Sequence, residues 1–167
     1  MKLTIRNIGP QDISAVAAMA QRLAQSEGEG KSSFNEEAIK RDVLGTHAHC
    51  GIWLAEAGHQ PAGFLMAYPG YDMLSASTGW HLGDLWVEPG FRRQGIATQL
   101  VLALASQAKV HGSQWISLTR LKSNREAKSF YTKLGFYERW DVSFHALGGE
   151  GFLSLAKAIG NVQPMLL

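Results

Sequence analysis

The chain has 167 residues, 46% apolar and 18% charged, with a formal net charge of +2 and a single cysteine, Cys50. That length and apolar content fit one folded domain with a sizeable core and exclude a disordered chain. The small charge, with no basic block, gives no reason to expect nucleic acid. No apolar run of about 18 residues and no leader pattern point to a membrane, and a lone cysteine makes no internal disulfide, so the reading is cytoplasmic.

In chain order, Leu3, Ile5 and Ile8 predict a first strand stopped near Gly9-Pro10. Asp12 is set to cap a helix whose apolar face is Ile13, Val16, Ala17, Ala20, Leu23 and Ala24. Gln25 to Ser32, with Gly28 and Gly30, reads as a mobile loop. Ser33 with Glu36 reads as a capping box opening a second helix to about Leu44. Cys50 to Ala57 and Pro61 to Tyr68 read as a hairpin, and Pro69 to Thr78 as a loop. Cys50 is most simply a buried strand residue.

Trp80 to Val87 is a short strand, rich in apolar residues and stopped by Pro89. Leu82, Asp84, Trp86 and Glu88 alternate there with Gly83, Leu85 and Val87. From Ala97 the residues Leu100, Val101, Leu104, Ala105 and Ala108 form the buried stripe of a helix. A strand follows at Trp115 to Arg120. Asn124 then caps a helix that ends by Gly135. Phe136 to His145 reads as a further strand, Gly148 to Gly151 as a turn, and Phe152 to Ala156 as a closing strand. Residues 160–167 carry no usable pattern. The outline is one α/β domain over residues 1–167, in the order β-α-α-β-β-β-α-β-α-β-β.

Between the central strand and its helix lies Arg92-Arg93-Gln94-Gly95-Ile96-Ala97-Thr98. A helix N-terminus offers unpartnered N–H groups and a partial positive charge. Gly95 and Ala97 let an anion approach the backbone, and two arginines add fixed charge. The sum is a pyrophosphate cradle. The plainer reading is a basic turn that reverses the chain. Gly90 and Gly95 have Walker A spacing, but Ile96 stands where lysine is required, and the dinucleotide fingerprint is incomplete.

Arg92-x-x-Gly95-x-Ala97, following Asp84-Leu85-Trp86-Val87, resembles the acyl-CoA signature of the GNAT superfamily of N-acetyltransferases. A second stretch, Asn124 to Phe136, resembles that family's later helix, with Asn at its start, Tyr131 near its end and Leu-Gly-Phe after it. The resemblance spans roughly Leu3 to Lys157. It implies a GNAT fold: a mixed, mostly antiparallel sheet flanked by about four helices and splayed between its fourth and fifth strands.

The resemblance also implies acetyl-CoA as co-substrate, no metal, and transfer to an amine in a ternary complex without an acyl-enzyme. Leu85, Trp86 and Val87 are expected to pair with the pantetheine arm. Arg92, Arg93, Gln94, Gly95, Ile96, Ala97 and Thr98 are expected to hold the pyrophosphate, and Asn124 and Ala127 to line its far side. Tyr131 is expected to protonate the leaving thiolate; otherwise it is a packing aromatic. Asp84, the one carboxylate inside the central strand, is the expected base, with His81 as runner-up. Glu27 and Glu29 lie on a loop that walls the acceptor site in the family and are placed to meet a cation; the plainer reading is a solvated loop.

Trp80 to Val87 with Asn124 to Gly135 looks similar to the diamine, polyamine and thialysine N-acetyltransferases. Those proteins usually carry an acidic pair ending at the position of Asp84, whereas this chain has Gly83 for the first acid. That departure removes a charge from the acceptor site and counts against polyamine specificity; the resemblance as a whole implies a small primary amine, di/polyamine-like or amino-acid-like. A protein amine, or a sensor domain that binds acyl-CoA without transfer, stands as the alternative. Family members often pair through C-terminal strands, so a homodimer is expected.

Overall fold

The computed structural model describes residues 2–158. It divides into two compact units, residues 1–127 and 128–167. The first unit is a five-stranded sheet in the order β1-β2-β3-β4-β5 with helices α1 to α3. The strands are β1 (Leu3–Asn7), β2 (Gly51–Ala57), β3 (Gln60–Asp72), β4 (Ser77–Val87) and β5 (Trp115–Leu118). The helices are α1 (Ile13–Ser26), α2 (Glu36–Asp42) and α3 (Ile96–Val110). Strands β1 to β4 run antiparallel, and β5 joins β4 in parallel. The mixed sheet expected from the sequence is therefore present.

One face of the sheet packs under α1. Ile13, Val16, Met19 and Ala20 meet Ile52 and Leu54 of β2, Phe64 of β3 and Trp86 of β4, and Met66 packs against the cluster. Residues of opposite alternation, such as Trp53, Leu65 and Leu85, face the other way, toward α3. Its stripe of Ile96, Leu100, Val101, Leu104 and Ala108 is buried as the periodicity predicts.

Several local expectations change. Asp12 precedes α1 but makes no side-chain cap. Its carboxylate instead accepts from the Gly9 N–H at 2.7 Å and takes both guanidinium nitrogens of Arg6, at 2.7 and 2.8 Å. Arg6 also donates to Glu56 twice, at 2.9 Å each. This fork ties β1, β2 and the entry to α1. The second helix is capped by Asn35, whose Oδ1 accepts from Ala38 N–H at 3.0 Å, and not by Ser33.

The loop expected at Pro69 to Thr78 is largely ladder: Tyr71 pairs with Thr78 and Asp72 with Ser77, leaving a tight turn at the tip. Asp72 accepts there from Leu74 N–H and Ser75 Oγ. Pro69 and Gly70 are breakers by type, but cross-strand pairing overrides them.

The unit boundary falls within α4 (Arg125–Lys133). Asn124 Oδ1 accepts from Ala127 N–H at 3.0 Å, the expected cap. Gly135, at φ 92°, closes the helix, with Phe136 N–H donating to Tyr131 O at 3.0 Å. Beyond it the expected strands are absent from the described residues. Phe136 to His145 forms no strand, and Phe152 to Ala156 lies inside α5 (Gly149–Ala158). Alternating residues become a strand only where a ladder partner exists. A short apolar run does not by itself separate strand from helix. The C-terminal strands on which the expected homodimer rested are thus not formed there. Residues 160–167 lie outside the described residues. No helix among the described residues is long and apolar enough to cross a membrane.

Arg6 holds the Asp12 carboxyl below its ordinary value of 3.8, with burial opposing and Gly9 N–H assisting. The folded state therefore favours the carboxylate, so this stabilisation is present above about pH 4 and is lost as pH falls through the lower folded value. Asp12→Ala leaves Arg6 half-satisfied and Gly9 N–H unpaired. We expect it to cost about 2–3 kcal/mol and to lower Tm by about 5–10 °C. It should also flatten the acid limb of stability; urea melts at pH 7 and pH 3 check both effects.

Candidate active site

The parallel pairing of β4 and β5 is short. It runs from Gly79 opposite Trp115 to Leu82 opposite Leu118, where β5 ends. Strand β4 continues to Val87, so from Gly83 onward its β5-facing backbone groups have no strand across from them among the described residues. Leu85, Trp86 and Val87 lie in that open stretch, where the sequence expected a pantetheine arm to pair. Of their groups, Val87 O already accepts from Arg92 Nε at 2.9 Å.

The next turn enters α3. Arg93 (φ 61°) and Gly95 (φ 81°) both lie in the left-handed region. Such alternation turns successive N–H groups inward to form an anion-binding nest. Helix α3 opens without a side-chain cap, and its first intrahelical bond runs from Gln99 N–H to Gly95 O at 3.1 Å. The N–H groups of Ile96, Ala97 and Thr98 are thus left without backbone partners among the described residues. A side chain built on Gly95 would meet nothing within 4 Å, so the mouth of the nest is open.

The arginines divide their work. The Arg92 guanidinium lies 4.8 Å from the Trp86 ring centroid and braces the turn. Arg93 is well exposed and pairs loosely with Glu126 at 3.4 Å. Gln94 donates to Gly90 O at 3.3 Å. Asn124 and Ala127 are joined in the α4 cap, which occupies Asn124 Oδ1.

On the α1 face, one irregularity governs the site. Met66 pairs with Asp84 and Ala67 with Leu82, so Gly83 is an extra residue in β4, a β-bulge. The bulge moves Leu82 off the face that carries Asp84 and Trp86, contrary to simple alternation, and brings His81 onto it. His81 pairs with Tyr68 on β3 and Ser117 on β5. Its ring centroid is 4.9 Å from that of Tyr68, and Nδ1 is 3.0 Å from Ser117 Oγ. A Cβ on Gly83 would stand 2.8 Å from Met66 Cε and 3.6 Å from Tyr68 Cε1, so the bulge faces these two side chains. Tyr68 and Ser117 escaped the sequence reading; an isolated glycine inside a strand pattern is the signal that points to the bulge.

Glu27 and Glu29 reach the same electrostatic neighbourhood from the end of α1. The segment is more ordered than the sequence suggests. Gly28 (φ 84°) closes α1, and Glu29 N–H donates back to Ala24 O at 2.9 Å. Gln21 donates to Gly30 O and accepts from Ser32 N–H, both at 3.0 Å. Burial and the charge of Glu29 raise the Asp84 carboxyl above its ordinary range. Burial, then Asp84 and Glu29, raise Glu27. Burial holds the His81 imidazole below its ordinary value.

Cys50 is also in this field. Burial, then Asp42 and Asp84, push its thiol up, which disfavours the thiolate an acyl-enzyme would need. Tyr131 belongs to the second unit, where it packs edge-on against Phe130 and Phe136 at centroid distances of 5.0 and 5.4 Å.

The model of the acetyltransferase (GNAT) family matches residues 17–136, which includes the open strand, the nest and α4. The chain belongs to the GNAT family. It is 30% identical over 156 residues to thialysine N-epsilon-acetyltransferase of Sus scrofa, covering 88% of this chain and 92% of that protein. It is 26% identical over 136 residues to the N-acetyltransferase YhfO of Bacillus subtilis (strain 168), covering 81% and 91%. Its fold is that of an integron cassette protein from the mobile metagenome of V. cholerae, with a TM-score of 0.81 and 22% identity, covering 94% and 99% of the two chains.

Membership makes this GNAT protein an acetyl-CoA-dependent N-acetyltransferase. The residues present fit that co-substrate. The nest suits a pyrophosphate, and the open edge of β4 suits the amides of an extended arm. Acetyl-CoA supplies the activated acyl group.

A carboxylate in the mouth of the nest opposes phosphate directly. Gly95→Glu should weaken acetyl-CoA binding roughly a hundredfold. Gly95→Ala carries only the left-handed backbone strain of about 1–2 kcal/mol and should stay within a few-fold of wild type. Calorimetric titration of both variants separates the charge effect from the strain.

Proposed function

We propose that this enzyme acetylates the primary amine of a small cationic molecule, of the diamine or basic amino-acid kind. The observation that carries this reading is the shared negative field of Glu27, Glu29 and Asp84 beside the open edge of β4. Burial and neighbouring carboxylates raise both Asp84 and Glu27, an ammonium relieves both, and a buried carboxylate gains most from such a partner. The charge missing at Gly83 is thereby supplied from the α1–α2 loop. Similarity to thialysine N-epsilon-acetyltransferases supports the same class of acceptor.

Nest and open strand hold acetyl-CoA by its pyrophosphate and arm. An N–H of the open strand polarises the thioester carbonyl. Asp84 holds the acceptor ammonium against the thioester. The amine attacks directly, consistent with a Cys50 thiol that burial pushes up and away from the thiolate. Tyr131 is proposed as the acid that protonates the departing thiolate, on the strength of its place in the sequence motif. Tyr131→Phe should lower kcat by roughly a hundredfold with little change in the KM for acetyl-CoA. Unchanged turnover would remove it from the mechanism.

The acceptor is tested by thiol release from acetyl-CoA with putrescine, spermidine, lysine, thialysine, neutral amino acids, an aminoglycoside and a basic peptide. Turnover restricted to small cations fits the proposal, and preference for the peptide or for neutral amino acids overturns it. Asp84→Asn should raise the acceptor KM about 10–100-fold. Because the Asp84 carboxyl titrates above its ordinary 3.8, acceptor KM should begin to rise at a higher pH than an ordinary aspartate would produce. A KM profile against pH, run on wild type and Asp84→Asn, checks the sign.

A further inference from the structure

We propose that His81 is the group that accepts the acceptor's proton, with Asp84 serving to hold the ammonium, and that Ser117 positions the imidazole for it. This rests on the proposed function and divides between two residues a task that one carboxylate would otherwise perform alone.

The argument starts from the bulge. In a regular strand, residues three apart point to opposite faces. Gly83 is the extra residue, so His81 and Asp84 fall two regular steps apart on one face, about 7 Å along the strand. An ammonium held at Asp84 can therefore present an N–H toward His81. His81 also stands at the next-to-last rung of the β4–β5 pairing, beside the opening where the strands part.

The ring is fixed on two sides. Tyr68 packs against it from β3, and Ser117 Oγ meets Nδ1 from β5. With the Nδ1 proton donated to Ser117, the lone pair lies at Nε2, the nitrogen that Ser117 does not engage. Burial keeps the imidazole neutral near pH 7, and no charged group contributes to that shift. The faces packed against His81 hold the phenol of Tyr68 and the hydroxyl of Ser117, with Asp84 the nearest acid along its own strand.

The proton energetics favour this division. An alkylammonium titrates near 10.4, an ordinary imidazole near 6.5 and an ordinary carboxylate near 4, so the imidazole starts as the less mismatched acceptor, and burial, which lowers His81 and raises Asp84, narrows that difference. The balance is simple. An N–H bond of the ammonium breaks and an Nε2–H bond forms. The freed nitrogen lone pair makes the C–N bond as the C–S bond breaks. The amine's second proton goes to the sulfur, giving free thiol, and the imidazolium returns its proton to solvent.

The first test needs no turnover. Nitrogen chemical shifts of 15N-histidine-labelled protein without acetyl-CoA should show His81 neutral at pH 7 with its proton on Nδ1. A proton on Nε2, or a cationic ring at pH 7, overturns the proposal.

The second test is kinetic. His81→Asn keeps an amide within reach of Ser117. It should lower kcat by about a hundredfold or more while acceptor KM stays within about threefold. His81→Ala should recover activity as free imidazole is added, which a packing role does not predict. An Asn variant as fast as wild type, or an Ala variant that imidazole does not relieve, overturns the assignment. In either case wild-type turnover would leave the proposed function standing. A wild type that binds acetyl-CoA but acetylates no amine removes both.

Discussion

Past Leu82, the backbone of β4 is paired with a strand on one side only among the described residues. A strand inside a sheet does not leave N–H and C=O groups idle without cost, since each unmet buried group is worth about 1–3 kcal/mol. Here the early end of β5 leaves the β5-facing edge of Leu85 to Val87 available to a ligand. The remaining features are arranged around that opening. The nest and the N-terminus of α3 follow directly at the end of β4, and the acidic groups and His81 lie along its α1 face.

The bulge at Gly83 gives this strand two functions at once. Its C-terminal half continues the alternation that seats Trp86 under α1, while its N-terminal half is reset so that His81 shares the face of Asp84. Electrostatics then separates the roles. Burial and then Glu29 raise Asp84, burial and then Asp84 and Glu29 raise Glu27, and burial alone lowers His81. Fixing β1, β2 and the entry to α1 through Arg6, Asp12 and Glu56 keeps the sheet and its covering helix in register beneath these groups.

Much of the chain as far as Gly135 was legible because its signals are local. The stripe from Leu100 to Ala108, the Asn124 cap, Gly135 after α4 and the Arg92-to-Thr98 turn each depend on a few neighbouring residues. Features that depend on distant partners were not legible. Asp12 reads as a cap until Arg6 and Glu56 are seen beside it. Pro69 and Gly70 read as a loop until β4 pairs with them. Tyr68 and Ser117 enter the site only through register. The alternating residues from Phe136 to His145 looked like a strand, but alternation specifies a face and not the presence of a neighbour. Phe152, Leu153 and Leu155 fit either period, and the helix prevailed.

The bulge also makes β4 tolerant of length at one place. Replacing Gly83 with a larger residue would press on the flexible end of Met66, which can move. Deleting Gly83 would leave a regular ladder, with Leu82 still opposite Ala67 and His81 still opposite Tyr68, so every residue before it keeps its face relative to Asp84. His81 would stay on the α1 side, two regular steps from Asp84. For this strand, a one-residue gap at Gly83 in an aligned homologue is a smaller chemical difference than a substitution of either side chain.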